Sequence, residues 1–289
     1  MSRTAWIVVA IAALMLILAC VVACVLFGAL FAYRGATVTD GVPVPDRFAT
    51  SVRETLVSEV AIRTPATVEV RNPAGNVSIR AGEMDDVVTV EAIKEARAVF
   101  GREGARLLQE VEVLVEGNGS RATIRVTGVE GIGLGTVSVN LDIIVPQETD
   151  LIVINEAGNV LVQGTEGNIR VRSDAGNTRI EDVTLTEFID VQNSAGNIDC
   201  EARVPRRTQW EVALRTRAGN VRLAVPEDSA FSLDAETDVG SVVSGFELED
   251  LQTGGTVGQW LRGGVNTTPV GPNVTLRTAA GNIRIEPLP

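Results

Sequence analysis

The sequence predicts an all-β protein: a β-solenoid or β-helix-like repeat domain that follows one N-terminal transmembrane helix. Three observations support this prediction. An uncharged apolar run covers residues 5–33. Apolar and polar residues then alternate over most of the remaining chain, and the pair Gly-Asn recurs through the same region. These features divide the chain into a short tail with the membrane helix (1–34), a juxtamembrane linker (35–50) and the repeat domain (51–289).

The apolar run is long enough to cross a membrane. A helix needs roughly 20 apolar residues to span the hydrocarbon core, and residues 5–33 exceed this length without a charge. Arg3 and Arg34 flank the run almost symmetrically, so the positive-inside rule orients it only weakly. The short tail before the run and the acidic chain after it favour a cytoplasmic N-terminus. We therefore predict an uncleaved, single-pass anchor in the cell membrane with an extracytoplasmic C-terminal domain.

A second form of anchorage stays open. Val21-Val22-Ala23-Cys24 is similar to a bacterial lipobox, in which the cysteine is lipidated after cleavage. The chain remains apolar after Cys24, where a mature lipoprotein usually turns polar. Both forms of anchor would tether the domain to a membrane.

Alternation of apolar and polar residues predicts strands with one buried face. Clear examples are residues 67–70, 77–80, 87–93, 123–126 and 137–141. Residues 102–110 instead have the spacing of a short helix, with Leu107 and Leu108 on its covered side. We expect this helix to be an insertion between strands. Cys200 lies in an alternating segment, which predicts a small buried side chain.

The central observation is an internal repeat. Gly-Asn is followed by Val, Ile or Thr seven times, and Ala precedes the Gly in six of these copies. The predicted repeat corners are Gly75-Asn76, Gly158-Asn159, Gly167-Asn168, Gly176-Asn177, Gly196-Asn197, Gly219-Asn220 and Gly281-Asn282. A decayed copy surrounds Gly240-Ser241. Spacings near twenty residues suit one coil of two or more strands, and the two nine-residue steps suit successive corners within a coil.

Gly-Asn predicts a tight corner because Gly, and to a lesser extent Asn, tolerates a positive φ. A chain that turns at regular intervals can coil, so that each coil buries its apolar side chains against its neighbours. Stacked corners would also align the Asn amides, which hydrogen-bond to one another in ladders. Hairpin turns in a sandwich or barrel are the alternative. The repeated Ala-Gly-Asn-Val register favours the solenoid.

Three segments resemble a known family. Residues 74–79 (AGNVSI), 171–177 (VRSDAGN) and 276–285 (LRTAAGNIRI) look like the repeats of the bacterial "putative adhesin" family. The resemblance covers about residues 55–285. It implies a β-helix-like domain on the bacterial cell envelope, behind a membrane anchor. It brings no catalytic residues with it.

Composition excludes several function classes. The formal net charge of −12 argues against a nucleic-acid partner, because neutralising phosphates needs a basic surface. The chain has no His, and therefore lacks the commonest general base and the commonest zinc ligand. We predict that the protein is not an enzyme and has no metal and no cofactor.

A glycan-acting β-helix enzyme that uses surface carboxylates is the alternative function. Such an enzyme needs acidic side chains that converge in one groove. The candidates are Glu181, Asp182, Glu187, Asp190, Glu247, Glu249 and Asp250. Most of them lie in predicted turns or alternate with apolar residues, which favours a solvated surface.

We therefore expect a non-catalytic, membrane-anchored extracytoplasmic module for envelope interaction or adhesion. A more specific form of this hypothesis is a role in envelope stress. Its expected partners are the membrane, through the N-terminal helix, and an envelope protein or glycan. Exposed edges at the ends of the stacked sheet also predict self-association.

Overall fold

The computed structural model describes residues 50–98, 101–129, 135–205, 209–255, 258–266 and 272–288. These residues form twenty β-strands and one short α-helix, so the predicted all-β class is confirmed. The predicted membrane helix, the Cys24 lipobox and most of the linker fall outside the described residues. Inside them, no helix combines the length and the hydrophobicity needed to cross a bilayer.

The coils of the chain each consist of two strands joined at a corner. We call the strands before the corners face A and those after them face B; all are hydrogen-bonded into one continuous sheet. Neighbouring coils pair in parallel and in register, as where Val171 lies between Val153 and Val191. Alternate side chains of each strand point between the two faces, because successive strand residues point in opposite directions. The solenoid-like architecture expected from the repeat is thus present.

Each face follows a fixed spatial order. Face A consists of β5 (Glu112–Asn118), β6 (Arg121–Thr127), β2 (Ala66–Ala74), β8 (Thr149–Ala157), β10 (Glu166–Ala175), the second half of β11 (Thr178–Ala195), β13 (Glu211–Ala218), β19 (Asn273–Ala280), β15 (Phe231–Val239), β18 (Gln259–Val265) and β17 (Glu249–Gly254). Face B consists of β1 (Thr50–Ala61), β4 (Val87–Ala98), β7 (Gly135–Val145), β3 (Val77–Ala81), β9 (Val160–Gln163), the first part of β11, β12 (Ile198–Arg203), β14 (Val221–Pro226), β20 (Ile283–Leu288) and β16 (Val242–Ser244).

The core between the faces is built from rows of aliphatic side chains. One row of register partners is fully buried and consists of Val70, Val153, Val171, Val191, Leu214, Leu276 and Ala235. The β-branched side chains suit a pleated, tightly packed surface. Cys200 of β12 is also fully buried, as its alternating segment predicts.

The Asn side chains of the corners form a continuous ladder. The Oδ1 of each Asn accepts the backbone N–H of the next corner at 2.8–3.0 Å. In spatial order the ladder is Asn140, Asn76, Asn159, Asn177, Asn197, Asn220, Asn282 and Ser241. Asn140 of β7 starts it without a preceding Gly, and Ser241 ends it. The ladder satisfies a backbone donor that the corner would otherwise leave unpaired.

The glycines of this row are required for two reasons. Gly176, for example, has a φ of +135°, which L side chains rarely adopt. A Cβ at Gly176 would also overlap the carbonyl group of Gly158 in the neighbouring coil. Gly158 stands in the same relation to Gly75, and Gly196 to Gly176. Each glycine of this row must therefore lack a side chain for its coil to stack on the neighbouring one.

A second set of polar side chains supports the corners from inside. Asn155 Nδ2 donates to the carbonyl oxygen of Gly158 at 2.8 Å, and Thr278 Oγ1 donates to that of Gly219 at 2.9 Å. Both residues are nearly fully buried and lie three positions before a corner glycine. A buried polar group that finds a partner avoids a desolvation cost. Most buried polar side chains thus follow the line of corners, while Thr149, Thr165 and Ser229 are buried elsewhere.

Six of the seven predicted corners lie in this row, and the seventh lies elsewhere. Gly167-Asn168 is at the beginning of β10, at the edge of face A that lies away from the corner row. The Asn168 N–H donates to Asp150 Oδ1 at 2.8 Å, and its own Oδ1 accepts the N–H groups of Glu187 and Phe188 at 3.0 Å. The nine-residue steps thus correspond to turns at the two ends of the same strand.

The order of coils in space departs from their order in sequence. The C-terminal coil, β19 with β20, lies between the coil of β13 and β14 and the coil of β15 and β16. The coil with the decayed Gly240-Ser241 corner is therefore terminal. Its Ser241 donates to Asn282 Oδ1 through the backbone N–H at 3.0 Å and the hydroxyl at 2.9 Å. Without an Asn it lacks the side-chain amide with which the other corners continue the ladder.

Antiparallel strands cap both ends of the stack. The insertion between β3 and β8 adds β5 and β6 to face A, and β4 and β7 to face B. It also contains α1 (Gly101–Glu110), which packs Leu107 and Leu108 against Ala96 of β4. At the other end, β18 pairs antiparallel with β15 on one side and with β17 on the other. These additions cover coils that would otherwise expose an apolar interior.

Candidate functional site

The predicted corner residues hold the scaffold together and present little free chemistry. The Oδ1 of Asn177 accepts the N–H of Asn197 at 2.9 Å, and its Nδ2 donates to Asn159 Oδ1 at 3.3 Å. The neighbouring corner asparagines make the same kind of contact. Although these side chains are exposed, most of their hydrogen-bonding capacity is already used. Free hydrogen-bonding groups must therefore be sought at other outward positions.

Several of the acidic residues suggested by the sequence are engaged by arginines. Asp190 lies 3.2 Å from Arg215, and Asp182 lies 2.7 Å from Arg203. Glu181 contacts Arg179 at 2.5 Å. The other candidates, Glu187, Glu247, Glu249 and Asp250, are exposed. These positions are spread over both faces and do not form one acidic groove.

The densest group of carboxylates surrounds Arg222 on face B. Arg222 donates to Asp199 at 2.7 Å, to Glu201 at 2.6 Å and to Glu286 at 2.5 Å. Burial opposes the guanidinium charge, but these three hydrogen bonds outweigh it and raise the pKa of Arg222 above its ordinary value. The three carboxylates thus serve as ion-pair partners of one arginine.

A surface depression of about 450 Å³ lies beside this group. Its lining includes Arg222, Glu201, and the ion pair of Asp182 with Arg203. Glu227, at its margin, has no arginine partner among the described residues. The depression therefore offers at most one unpaired carboxylate, whereas glycoside hydrolysis needs two.

Neither thiol chemistry nor a metal centre is evident. Burial, followed by the charges of Asp199 and Glu201, raises the pKa of the Cys200 thiol to about 12. The thiol is therefore protonated, whereas nucleophiles and metal ligands need the thiolate. In the part of the chain that the structure describes, no three His, Cys, Asp or Glu side chains converge to hold a metal ion.

The most distinctive outward feature of face A is a row of basic side chains, which we call the arginine row. Its members occupy register-paired outward positions on seven adjacent strands. In spatial order they are Arg125, Arg71, Ile154, Arg172, Gln192, Arg215 and Arg277. The row contains no acidic residue, although the chain has a formal net charge of −12. It ends at Glu236, the partner of Arg277 on the next strand.

Part of this positive charge is not compensated. Arg71 pairs with Glu69 at 2.7 Å, and Arg277 pairs with Asp234 and Glu236 at 2.6 Å. By contrast, Arg125 and Arg172 have no carboxylate within ion-pair distance among the described residues. The same is true of exposed Arg217, two positions after Arg215 on β13. The row therefore keeps guanidinium groups available for an anion.

Two shallow depressions lie along the arginine row. The first, of about 330 Å³, is lined by Arg125, Arg71 and Ile154 together with Glu156. The second, of about 280 Å³, is lined by Arg172, Gln192, Arg215, Arg217, Ser194 and Asp174. Three arginines against one aspartate make the second depression net positive. Both are open surface features, unlike the apolar clefts that enclose most small ligands.

The sequence also carries a signal for the arginine row, which the Gly-Asn repeat alone does not show. Arg stands four residues before the corner Gly in four copies: Arg71, Arg172, Arg215 and Arg277. The alternation of strand residues places this position outward, because the buried residues on either side of it point inward. Arg125 follows no such rule, since its strand has no Gly-Asn corner.

One family model matches most of this chain. The model of a family described as Toastrack DUF4097 matches residues 66–286. No curated protein matches the chain in sequence. A "putative cell adhesion protein" from Clostridium sporogenes is similar in structure, with 12% identity, a TM-score of 0.48, and coverage of 82% of this chain and 100% of that one. A "putative adhesin" from Bacteroides fragilis has 9% identity, a TM-score of 0.38, and coverage of 81% and 97%. Identities and TM-scores this low say nothing about function.

Proposed function

Because this chain belongs to the Toastrack DUF4097 family, we propose that it is a non-catalytic binding module held at the bacterial cell membrane. Residues 5–33 anchor it, and the repeat domain faces the cell envelope. The observation that carries the proposal is the arginine row, a line of outward cations on strands locked in register. Shallow depressions lined by arginines suit a binding surface, and carboxylates held in ion pairs with arginines are poorly suited to bond cleavage.

Tethering is tested by fractionation. We expect the full-length chain to stay in the membrane pellet after alkaline carbonate extraction, because residues 5–33 suffice to span the bilayer. Protease added to spheroplasts should digest the repeat domain. Cys24→Ser should change neither result, and the intact mass should include residues 5–33.

The outcomes separate the two kinds of anchor. A mature chain that begins at a lipid-modified Cys24, with processing lost in Cys24→Ser, would replace the membrane helix by a lipoprotein anchor. Recovery of the unprocessed chain in the soluble fraction would remove the membrane from the proposal altogether.

Binding without cleavage is the second expected property. Full-length chain in nanodiscs should co-sediment with envelope polysaccharide from the cells in which it is native. Over the same incubation, reducing ends should not exceed those of polysaccharide alone, because the carboxylates around Arg222 are held in ion pairs. Reducing ends that rise with time, and fall in Glu227→Gln, would support the glycan-acting enzyme instead. Heat-unfolded chain serves as the control for non-specific sedimentation.

A further inference from the structure

We infer that the arginine row binds a linear glycan that carries a carboxylate on every second sugar. This inference rests on the proposed function and adds the chemical class of the partner. Its starting point is the spacing of the arginines along the stack, which the register of the strands fixes.

The arginines recur on alternate strands in the middle of the row. Arg71 on β2, Arg172 on β10 and Arg215 on β13 are separated by single strands that carry Ile154 and Gln192. Paired strands lie about 4.8 Å apart, so these guanidinium groups repeat at about 10 Å along the stack. A disaccharide unit of a straight glycan has about the same length. One carboxylate per disaccharide could therefore meet one arginine per two strands.

The donors at these positions match carboxylates in geometry. Guanidinium presents a planar fork of N–H groups that binds carboxylate oxygens in a bidentate manner. Arg172 has no carboxylate partner among the described residues, and the ion pair of Arg215 with Asp190 spans 3.2 Å through a single nitrogen. Arg217 adds a further uncompensated cation beside Arg215. An external carboxylate can thus bind Arg172 without displacing an internal one, whereas at Arg71 it would compete with Glu69.

The alternative polyanions fit less well. A nucleic acid presents its charges at a much shorter repeat, and the net charge of −12 would repel it. An extended acidic peptide presents the side chains of one face about every 7 Å, which does not match the repeat of about 10 Å between the arginines. The strands are fixed by parallel pairing on both sides, so a stiff polymer would meet a preorganised surface at little entropic cost.

Hyaluronan is a suitable probe because it carries a carboxylate on alternate sugars and no sulfate. We expect full-length chain in phosphatidylcholine nanodiscs to bind hyaluronan oligosaccharides, measured by calorimetry at low salt. Affinity should rise with each added disaccharide until three carboxylates are present, to match Arg71, Arg172 and Arg215. It should fall as salt is added, because the contacts are ionic.

Two substitutions distinguish binding by the arginine row from binding through positive charge anywhere on the surface. Arg172→Gln should weaken binding about tenfold, as expected for the loss of one charge-assisted contact. The matched control is Arg284→Gln on face B, which also removes an exposed arginine without a carboxylate partner among the described residues. Arg284→Gln should leave the dissociation constant unchanged. Equal effects of the two variants, or no effect of Arg172→Gln, would overturn the inference.

Competitors identify the class of partner. Neutral dextran should not compete, and polyglutamate or polyphosphate should compete at least tenfold more weakly than hyaluronan. Stronger competition by polyglutamate would assign the row to an acidic polypeptide and overturn the glycan. If hyaluronan does not bind but the chain still sediments with native envelope polysaccharide, this inference fails while the proposed function stands.

Discussion

Gly176→Ala is expected to unfold the middle of the stack, with a loss of about 4 kcal/mol in the free energy of unfolding. Two causes add. The φ of +135° at Gly176 is strained for any residue with a Cβ. The new Cβ would also overlap the carbonyl group of Gly158, which is backbone and cannot rotate away. Relief would require the two coils to separate, which would break the bond from the Gly158 N–H to the Ala175 carbonyl and that from the Val160 N–H to the Asn177 carbonyl.

The measurement is urea unfolding of the full-length chain, followed by the fluorescence of buried Trp210. Gly119→Ala is the matched control. Gly119 also has a positive φ, +63°, but a Cβ there would meet no heavy atom within 4 Å. It should cost only about 1 kcal/mol, the price of a left-handed residue alone. Similar losses in both variants would show that the stacked corners contribute nothing beyond backbone strain.

Local periodicity predicted the repeating parts of this fold well. Alternation located strands such as β2, β3 and β6, and the Gly-Asn pairs located six of the corners of the ladder. Both signals are local, since they depend on which side of a strand a residue faces and on which residue tolerates the corner. The helix α1 was also visible, because Leu107 and Leu108 interrupt the alternation.

Features that depend on long-range order were not predictable in the same way. The C-terminal coil lies inside the stack, between the coils of β13 and β15, and nothing near Gly281 announces this. Asn140 joins the ladder although its strand lacks the Ala-Gly that marks the other copies. The Gly167-Asn168 pair shares the sequence of a corner but ends up at the other end of a strand.

The arginine row combines both kinds of information. The recurrence of Arg four residues before the corner Gly is local and could have been read from the chain. Whether these arginines form a row depends on the register of the strands, because only parallel in-register pairing places Arg172, Gln192 and Arg215 side by side. Net charge alone pointed away from an anionic partner, since the acidic residues outnumber the basic ones. The net charge is a sum over the whole chain, so it does not reveal that arginines are gathered in one row of face A.

The second large effect is expected at the terminal coil. Phe231 of β15 is fully buried, with its ring 6.0 Å from that of Trp210 and 5.6 Å from that of Phe246. Phe231→Ala should cost about 3–5 kcal/mol, because it removes an aromatic core side chain and leaves a cavity. Coils of a stack contact mainly their neighbours, so the loss should be concentrated at this end. Hydrogen exchange should accelerate in β15 and β18, and stay slow in β2 and β8.

Leu251→Ala provides a control at the same end. Leu251 of β17 is 53% exposed, so its truncation should change the free energy of unfolding by at most about 0.5 kcal/mol.

The place of the C-terminal coil predicts which strands should exchange faster in Phe231→Ala. Because β19 lies between β13 and β15, loosening of β15 exposes the edge of β19 but leaves its pairing with β13 in place. Faster exchange in β19 than in β13 would follow from this order. A uniform acceleration through all coils would instead mean that the stack unfolds as one unit, and that its ends have no separate stability.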